Sequence, residues 1–220
     1  MAKIYYIDVR IFNKEEIFEK HLGNLSEERQ SKVLRYRFDK DKKLSLGAGV
    51  LLDFGLRQFG LRERDVVFDQ NAYGKPIIPN GINFNLSHSG LFALAAISDT
   101  PIGADIEVIE RHCLDPVQYL APGEQRYIYS HDLAKQKEAF IRLWCLKESF
   151  SKATGLGLSL PLDAYEITID GENITVAQDH DSNNYYFYEF TLPGHRAAIC
   201  GIDSKFQSPI EICLTSKDFD

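Results

Sequence analysis

Residues Phe140 to Gly157 read FIRLWCLKESFSKATGLG, and the reading of this stretch decides how the chain is built. At 100° per residue, Phe140, Ile141, Trp144 and Cys145 form one broad apolar arc, as on a helix lying against a core. Gly155 and Gly157 end the periodic run, and Pro161 shows that the chain has left it. The pattern predicts a helix over 134–154. Glu148 and Lys152 fall inside its apolar arc. On an exposed face such an i, i+4 pair contributes only about 0.2–0.5 kcal/mol. Inside a core, an unpaired carboxylate or ammonium is costly, so burial demands partners. A metal ion and an anionic substrate would supply both.

Upstream, PIGADIEVIE (101–110) reads as a strand. Period-two geometry puts Asp105 and Glu107 on one face and Ala104 and Ile106 on the other. Two like charges side by side raise each other's pKa unless a cation or hydrogen bonds intervene. The pair marks either a solvated strand face or a divalent-cation site, and magnesium favours a few carboxylates, waters and phosphate oxygens. Before it, in INFNLSHSGLFALAAIS (82–98), Ile82, Phe84 and Leu86 alternate with Asn83, Asn85 and Ser87. That is a half-buried strand, followed by a turn at Gly90 and a buried return strand, LFALAAI. Ser87 and His88 do not make a nucleophilic dyad, because the Gly-x-Ser-x-Gly elbow is absent and sequence neighbours seldom present their side chains to one another. A hydroxyl and an imidazolium at a strand end do suit a phosphate.

Elsewhere, 3–11 and 65–68 read as strands, and Tyr73-Gly74-Lys75-Pro76 as a turn. Ser26 caps a helix with Glu27 and Glu28 in its first turn. A second helix over 41–59 stops at Gly60, and a shorter one covers 123–130. AYEITI, ITVA, YYFYEFTL and RAAICGI are short strands, with turns at Asp170-Gly171 and Pro193-Gly194. Strands and helices first, then a helix with mostly antiparallel strands, make the chain α+β. Each half, 1–101 and 102–220, holds a long helix and an apolar hairpin.

Composition removes several classes. A net charge of −7 opposes a general nucleic-acid binder, which needs a broad basic face. Yet Arg29, Lys32, Arg35, Arg37, Lys40, Lys42 and Lys43 form a local run against only Asp39 and Asp41. The run is either a solvated helix face or a patch for a compact polyanion. No window is apolar enough for a membrane span, and MAKIYYIDVRIF lacks the features of a secretory leader. Cys113, Cys145, Cys200 and Cys213 are far apart with no C-x-x-C pair, so reduced thiols in a cytoplasm are expected.

Together, GADIE and, about forty residues on, WCLKESFSKATGLGL resemble the bipartite signature of the phosphopantetheinyl transferases: a G-x-D-I-E strand, then a W-x-x-K-E-x-x-x-K helix. YGKP, FNLSHSG and LSLPLD extend the resemblance to the long Sfp-type branch, over about Ile4 to Gly201. The resemblance implies two similar α+β halves in one chain, each with a mainly antiparallel sheet packed on a long helix, and hence a monomer. It implies transfer of the 4′-phosphopantetheine arm of coenzyme A to a serine of an apo acyl or peptidyl carrier protein, releasing adenosine 3′,5′-bisphosphate. Asp105, Glu107 and Glu148 would hold Mg²⁺, or Mn²⁺ in its place. Glu148 would serve as base and Lys152 would meet charge on the leaving group, with Asp105 also counted as catalytic. Ser87, His88 and Lys75 would contact the phosphates of the nucleotide. Arg29, Lys32 and Ser45 would hold its adenosine end, with Arg29 standing where relatives often have Lys. Carrier docking would fall near Arg111, Leu120 and Arg126. The competing readings are a metal-dependent nucleotide or coenzyme A pyrophosphate hydrolase and a non-catalytic coenzyme A-binding protein.

Overall fold

The structure, a computed structural model, describes residues 1–79, 81–111 and 114–214, with the side chains of Arg111 and Leu158 undescribed. Cys113 and the Arg111 side chain, both named above, lie outside what is described. The first half contains β1 (Lys3–Asp8), α1 (Glu15–Gly23), α2 (Glu27–Arg35), α3 (Asp39–Arg57), β2 (Asp69–Gln70), β3 (Pro76–Ile77), β4 (Asn83–Ser89) and β5 (Phe92–Ser98). The second contains β6 (Ile102–Val108), α4 (Pro122–Tyr129), α5 (Leu133–Thr154), β7 (Glu166–Asp170), β8 (Asn173–Ala177), β9 (Tyr186–Leu192) and β10 (His195–Gly201). A final strand, β11 (Ile210–Glu211), returns to the first half.

Three local readings need correction. The first strand stops at Asp8, whose carboxylate accepts the Arg10 backbone N–H at 2.9 Å and opens a 3₁₀ turn over Val9–Asn13. Val9 and Phe12, three apart, are its buried pair, which is the 3₁₀ period and not that of a strand. The segment 65–68 has strand-forming residues but no partner strand among the described residues, and Val67 is 82% exposed. Only Asp69–Gln70 pairs there, with Pro76–Ile77. The helix α1 was not anticipated, because its buried stripe is only Ile17, His21 and Leu22 among charges.

The order of elements repeats. In each half a strand leads to a long helix and then a hairpin, and the leading strand pairs with the last strand of the hairpin. The resulting sheet orders are β1-β5-β4 and β6-β10-β9, antiparallel throughout, with β11 added parallel to β1. The α+β class and the duplicated halves are therefore visible in the topology. Alternation along the strands makes three cores. Tyr5, Ile7, Ala95 and Ile97 face α3, while Ala198 and Cys200 face α5. Ile4, Leu94 and Ala96 meet Ala104, Ile106 and Ile199 between the sheets. Every residue of β5 is buried, which explains its uninterrupted apolar run.

The halves meet along a seam made of side chains. Asn85, Ser87 and Ser89 of β4 accept the backbone N–H groups of Ala104, Ile106 and Val108 of β6, at 2.8, 3.3 and 3.3 Å. Two residues along β4 match two along β6, so the edge strands run parallel, and side-chain oxygens do the work of a backbone ladder. The chain beyond β10 closes the other side. Ala2 N–H donates to Lys205 O, Gln207 N–H to Ala2 O and Ile212 N–H to Tyr6 O, and Ile212 and Leu214 complete the core under α3. Spatially, the tail of the second half belongs to the first. Among the described residues, no helix is long and apolar enough to cross a membrane.

Candidate active site

The seam, α5 and α2 surround the residues singled out from sequence. Gly103 sets how closely α5 lies on β6: a Cβ there would stand 2.0 Å from Ser149 O and 2.4 Å from Ala153 N. Only glycine permits that approach, and the approach brings Asp105 beside the last turns of α5. Lys152 donates to Asp105 Oδ1 at 2.6 Å and to Ala104 O at 3.3 Å, and it stands 3.9 Å from Glu148 Oε2. Asp105 and Glu148 thus bracket one ammonium. Ser87 Oγ donates to Asp105 Oδ1 at 2.9 Å and Ser89 Oγ to Glu107 Oε2 at 2.8 Å, tying both carboxylates to the seam.

The electrostatics follow from this packing. Burial raises the Glu148 carboxyl above its ordinary value, and Asp105 and Glu107 add to the effect against the opposing charge of Lys152. Burial works against the Lys152 charge, yet Asp105 and then Glu148 hold its pKa above that of a free lysine. Beneath them the buried Cys145 thiol is pushed well up by burial, then by Asp105 and Glu107, which leaves it inert as a nucleophile. Among the described residues, Asp105 Oδ2 is buried and has no hydrogen-bond partner. Three carboxylates are hard oxygen donors, and an orphaned buried oxygen among them suits Mg²⁺. With Lys152 between Asp105 and Glu148, no three acidic, His or Cys side chains among the described residues are drawn close enough to hold an ion. Carboxylate oxygens are the donor type a hard divalent ion takes, and in this arrangement Lys152 supplies the positive charge beside them.

One residue of the motif has a role that sequence reasoning missed. Lys147 is fully buried and donates to Glu124 Oε1 at 2.6 Å and to Tyr165 O at 3.1 Å, with its ammonium 3.8 Å from the Tyr165 ring centre. Glu124 also accepts the Ile167 and Ala121 backbone N–H groups, at 2.8 and 3.0 Å. Burial pushes Glu124 up and Lys147 down, each opposed by the other's charge. The pair pins α5 to α4 and β7, one residue before Glu148. Nothing in the sequence links Glu124 to Lys147, because they are not within one or two turns of a common helix.

Across the seam, a cavity of about 350 Å³ is lined by Arg29, Lys32, Tyr36, Ser45, Phe68 and His88, among others. Four residues read as nucleotide contacts thus share one wall. Burial lowers the Lys32 pKa, and the Arg29 charge lowers it further. The same two influences, burial and then the charges of Lys152 and Lys32, lower His88. His88 itself is exposed, so this lowering reflects only partial withdrawal from water.

Two expectations move. Lys75 does not line the cavity. Its ammonium donates to Lys152 O at 2.6 Å and Ile102 O at 3.0 Å, and burial lowers its pKa to about 8. With Asn71, which donates to Gly155 O at 2.8 Å, it caps the C-terminal end of α5, where carbonyls lack helical partners. Leu120 is buried in the core under α5, so it offers nothing to a docking partner, whereas Arg126 and Tyr119 are exposed.

Comparison with known proteins gives the family of the chain. Residues 101–200 match the family described as the 4′-phosphopantetheinyl transferase superfamily, and residues 13–100 match the 4′-phosphopantetheinyl transferase N-terminal family. The chain is 33% identical to the 4′-phosphopantetheinyl transferase Sfp of Bacillus subtilis (strain 168), covering 97% of each chain. It is 28% identical to the 4′-phosphopantetheinyl transferase gsp of Aneurinibacillus migulanus, over 98% of this chain and 91% of that one. A solved structure, the holo-[acyl-carrier-protein] synthase of Thermotoga maritima, aligns with a TM-score of 0.41 at 20% identity, over 46% of this chain and 62% of its own. The chain belongs to the 4′-phosphopantetheinyl transferase superfamily. It is an Sfp-type enzyme that transfers phosphopantetheine from coenzyme A to a carrier protein.

Proposed function

We propose that the two halves divide the transfer between them. The first (1–101) holds the nucleotide of coenzyme A and the second (102–220) supplies the carboxylates and Lys152. Arg29, Lys32 and Ser45 bind the 3′-phosphate end, while His88 and Ser87 meet the pyrophosphate. Asp105, Glu107 and Glu148 are the residues that would hold Mg²⁺, or Mn²⁺ in its place, and the ion would neutralise charge on the pyrophosphate. Glu148 takes the proton from the serine hydroxyl of an apo acyl or peptidyl carrier protein, a role suited to a carboxyl raised by burial. The serine oxygen bonds to the β-phosphorus as the bond to the bridging oxygen breaks. Lys152 gives that oxygen a proton, and adenosine 3′,5′-bisphosphate leaves. The carrier brings the nucleophile, so none is needed here. Ser87 must release Asp105 to reach phosphate, because its hydroxyl donates there.

The observation that carries this reading is the Asp105–Lys152–Glu148 cluster with its orphaned Asp105 Oδ2, set across the seam from a cavity that carries Arg29 and Lys32. Phosphoryl transfer is mainly positioning and charge neutralisation, which this pairing provides. The enzyme works as a monomer, because one chain contains both walls of the site, and in the cytoplasm, where its free cysteines stay reduced. The test incubates the protein with Mg²⁺, coenzyme A and apo carriers, and reads intact mass. A phosphopantetheine gain that disappears with EDTA supports the reading, and consumption of coenzyme A with no gain on any carrier overturns it.

A further inference from the structure

Residue 29 is arginine, and its surroundings use what a lysine lacks. Its Nε donates to Glu63 Oε1 at 3.3 Å, and Glu63 has no solvent exposure. Among the described residues, Arg29 Nη1 and Nη2 have no protein acceptor, and both Arg29 and Glu63 stand on the cavity wall. The stem is fixed as well. At Gly49 of α3, a Cβ would stand 3.3 Å from Arg29 Cγ and Cδ, so the missing side chain leaves the groove in which the stem lies.

Glu63 is itself held in place. It accepts Ser26 N–H at 2.8 Å and Ser26 Oγ–H at 3.1 Å, while Ser26 caps α2 through the Arg29 N–H. Its own N–H donates to Asp53 Oδ1 at 2.9 Å, and Asp53 is neutralised by Arg57 and Arg62. The buried carboxylate thus fixes the start of the helix that carries Arg29 and Lys32, and also the plane of the guanidinium.

We infer that Glu63 is a positioning residue for phosphate discrimination. By taking Nε, it turns the two Nη groups into a fixed fork for two oxygens of the 3′-phosphate of coenzyme A. The inference rests on the cavity reading proposed above. A lysine has one nitrogen, which cannot serve Glu63 and grip a phosphate bidentately. A role limited to stability would not depend on which ligand is offered.

Calorimetric titration with adenosine 3′,5′-bisphosphate and with 5′-AMP separates the cases. Wild type binds the bisphosphate more tightly. Glu63→Gln reduces that preference about tenfold, the size of one charge-assisted contact. Arg29→Lys, which keeps the charge and avoids any buried replacement, reduces it by a similar factor, and the double variant is no worse than either single one. Should Glu63→Gln fail to fold by circular dichroism, Arg29→Lys carries the test. Retention of the wild-type preference in the folded variants overturns the inference and leaves the functional reading standing. Equal binding of both ligands by wild type overturns the cavity reading, and the inference with it.

Discussion

Two lysine–carboxylate pairs lie on α5, with the same 2.6 Å separation and five residues apart: Lys147 with Glu124, and Lys152 with Asp105. In the first, both Glu124 oxygens are hydrogen-bonded, the lysine has a carbonyl as well, and neither side chain touches solvent. In the second, Asp105 Oδ2 is buried without a partner, the lysine is a quarter exposed, and a second carboxylate waits at 3.9 Å. Distance does not distinguish the two pairs. Completion does. A closed pair fixes a helix, whereas an open one keeps capacity for a ligand.

The largest effect expected from this contrast is on the open pair. Asp105→Ala or Glu148→Ala should slow carrier modification by on the order of 10³ or more, with circular dichroism unchanged, as intact-mass time courses will show. Next comes the closed pair. Lys147→Met should cost about 3–5 kcal/mol in urea unfolding because it strands Glu124, and adding Glu124→Leu should recover much of that. If Lys152→Met costs as much stability as Lys147→Met, the contrast between the pairs fails.

Smaller effects sharpen it. Because burial raises the folded pKa of Glu148, its favourable contribution is present at low pH and is lost as pH rises from about 4.5 through the folded value. Glu148→Gln should therefore melt a few degrees above wild type in EDTA at pH 8, with the gap vanishing near pH 4. Added Mg²⁺ should raise the melting temperature of wild type but not of Asp105→Asn, since only a ligand of the folded site stabilises it. Smallest of all, Ser89→Ala removes the seam bond from Val108 together with the hydroxyl's bond to Glu107, and should cost about 1–2 kcal/mol in denaturant unfolding.

Much of this architecture was legible in advance. The periodicity of 140–153 located α5, and the alternation of 82–87 with the apolar run of 91–97 located the central hairpin, because both follow from which faces must be buried. α1 was missed for want of apolar stripe, and 65–68 was overread because strand propensity without a partner strand builds nothing. At the site, Glu148 and Lys152 could be singled out because their charges fall inside an apolar arc, and Asp105 and Glu107 because two like charges share one strand face. Lys75 was misplaced: its turn is local, but its two acceptor carbonyls are distant in sequence.

What the sequence determined by itself was therefore the family motifs and the faces on which their charged residues lie, since periodicity and residue type are local properties. The tertiary structure decided which of them meet. Glu63 reaches Arg29 from 34 residues away, Glu124 reaches Lys147 from 23, and Ser87 reaches Asp105 from 18. Each partner was fixed by packing two sheets and two long helices together, and no local pattern encodes the result of that packing.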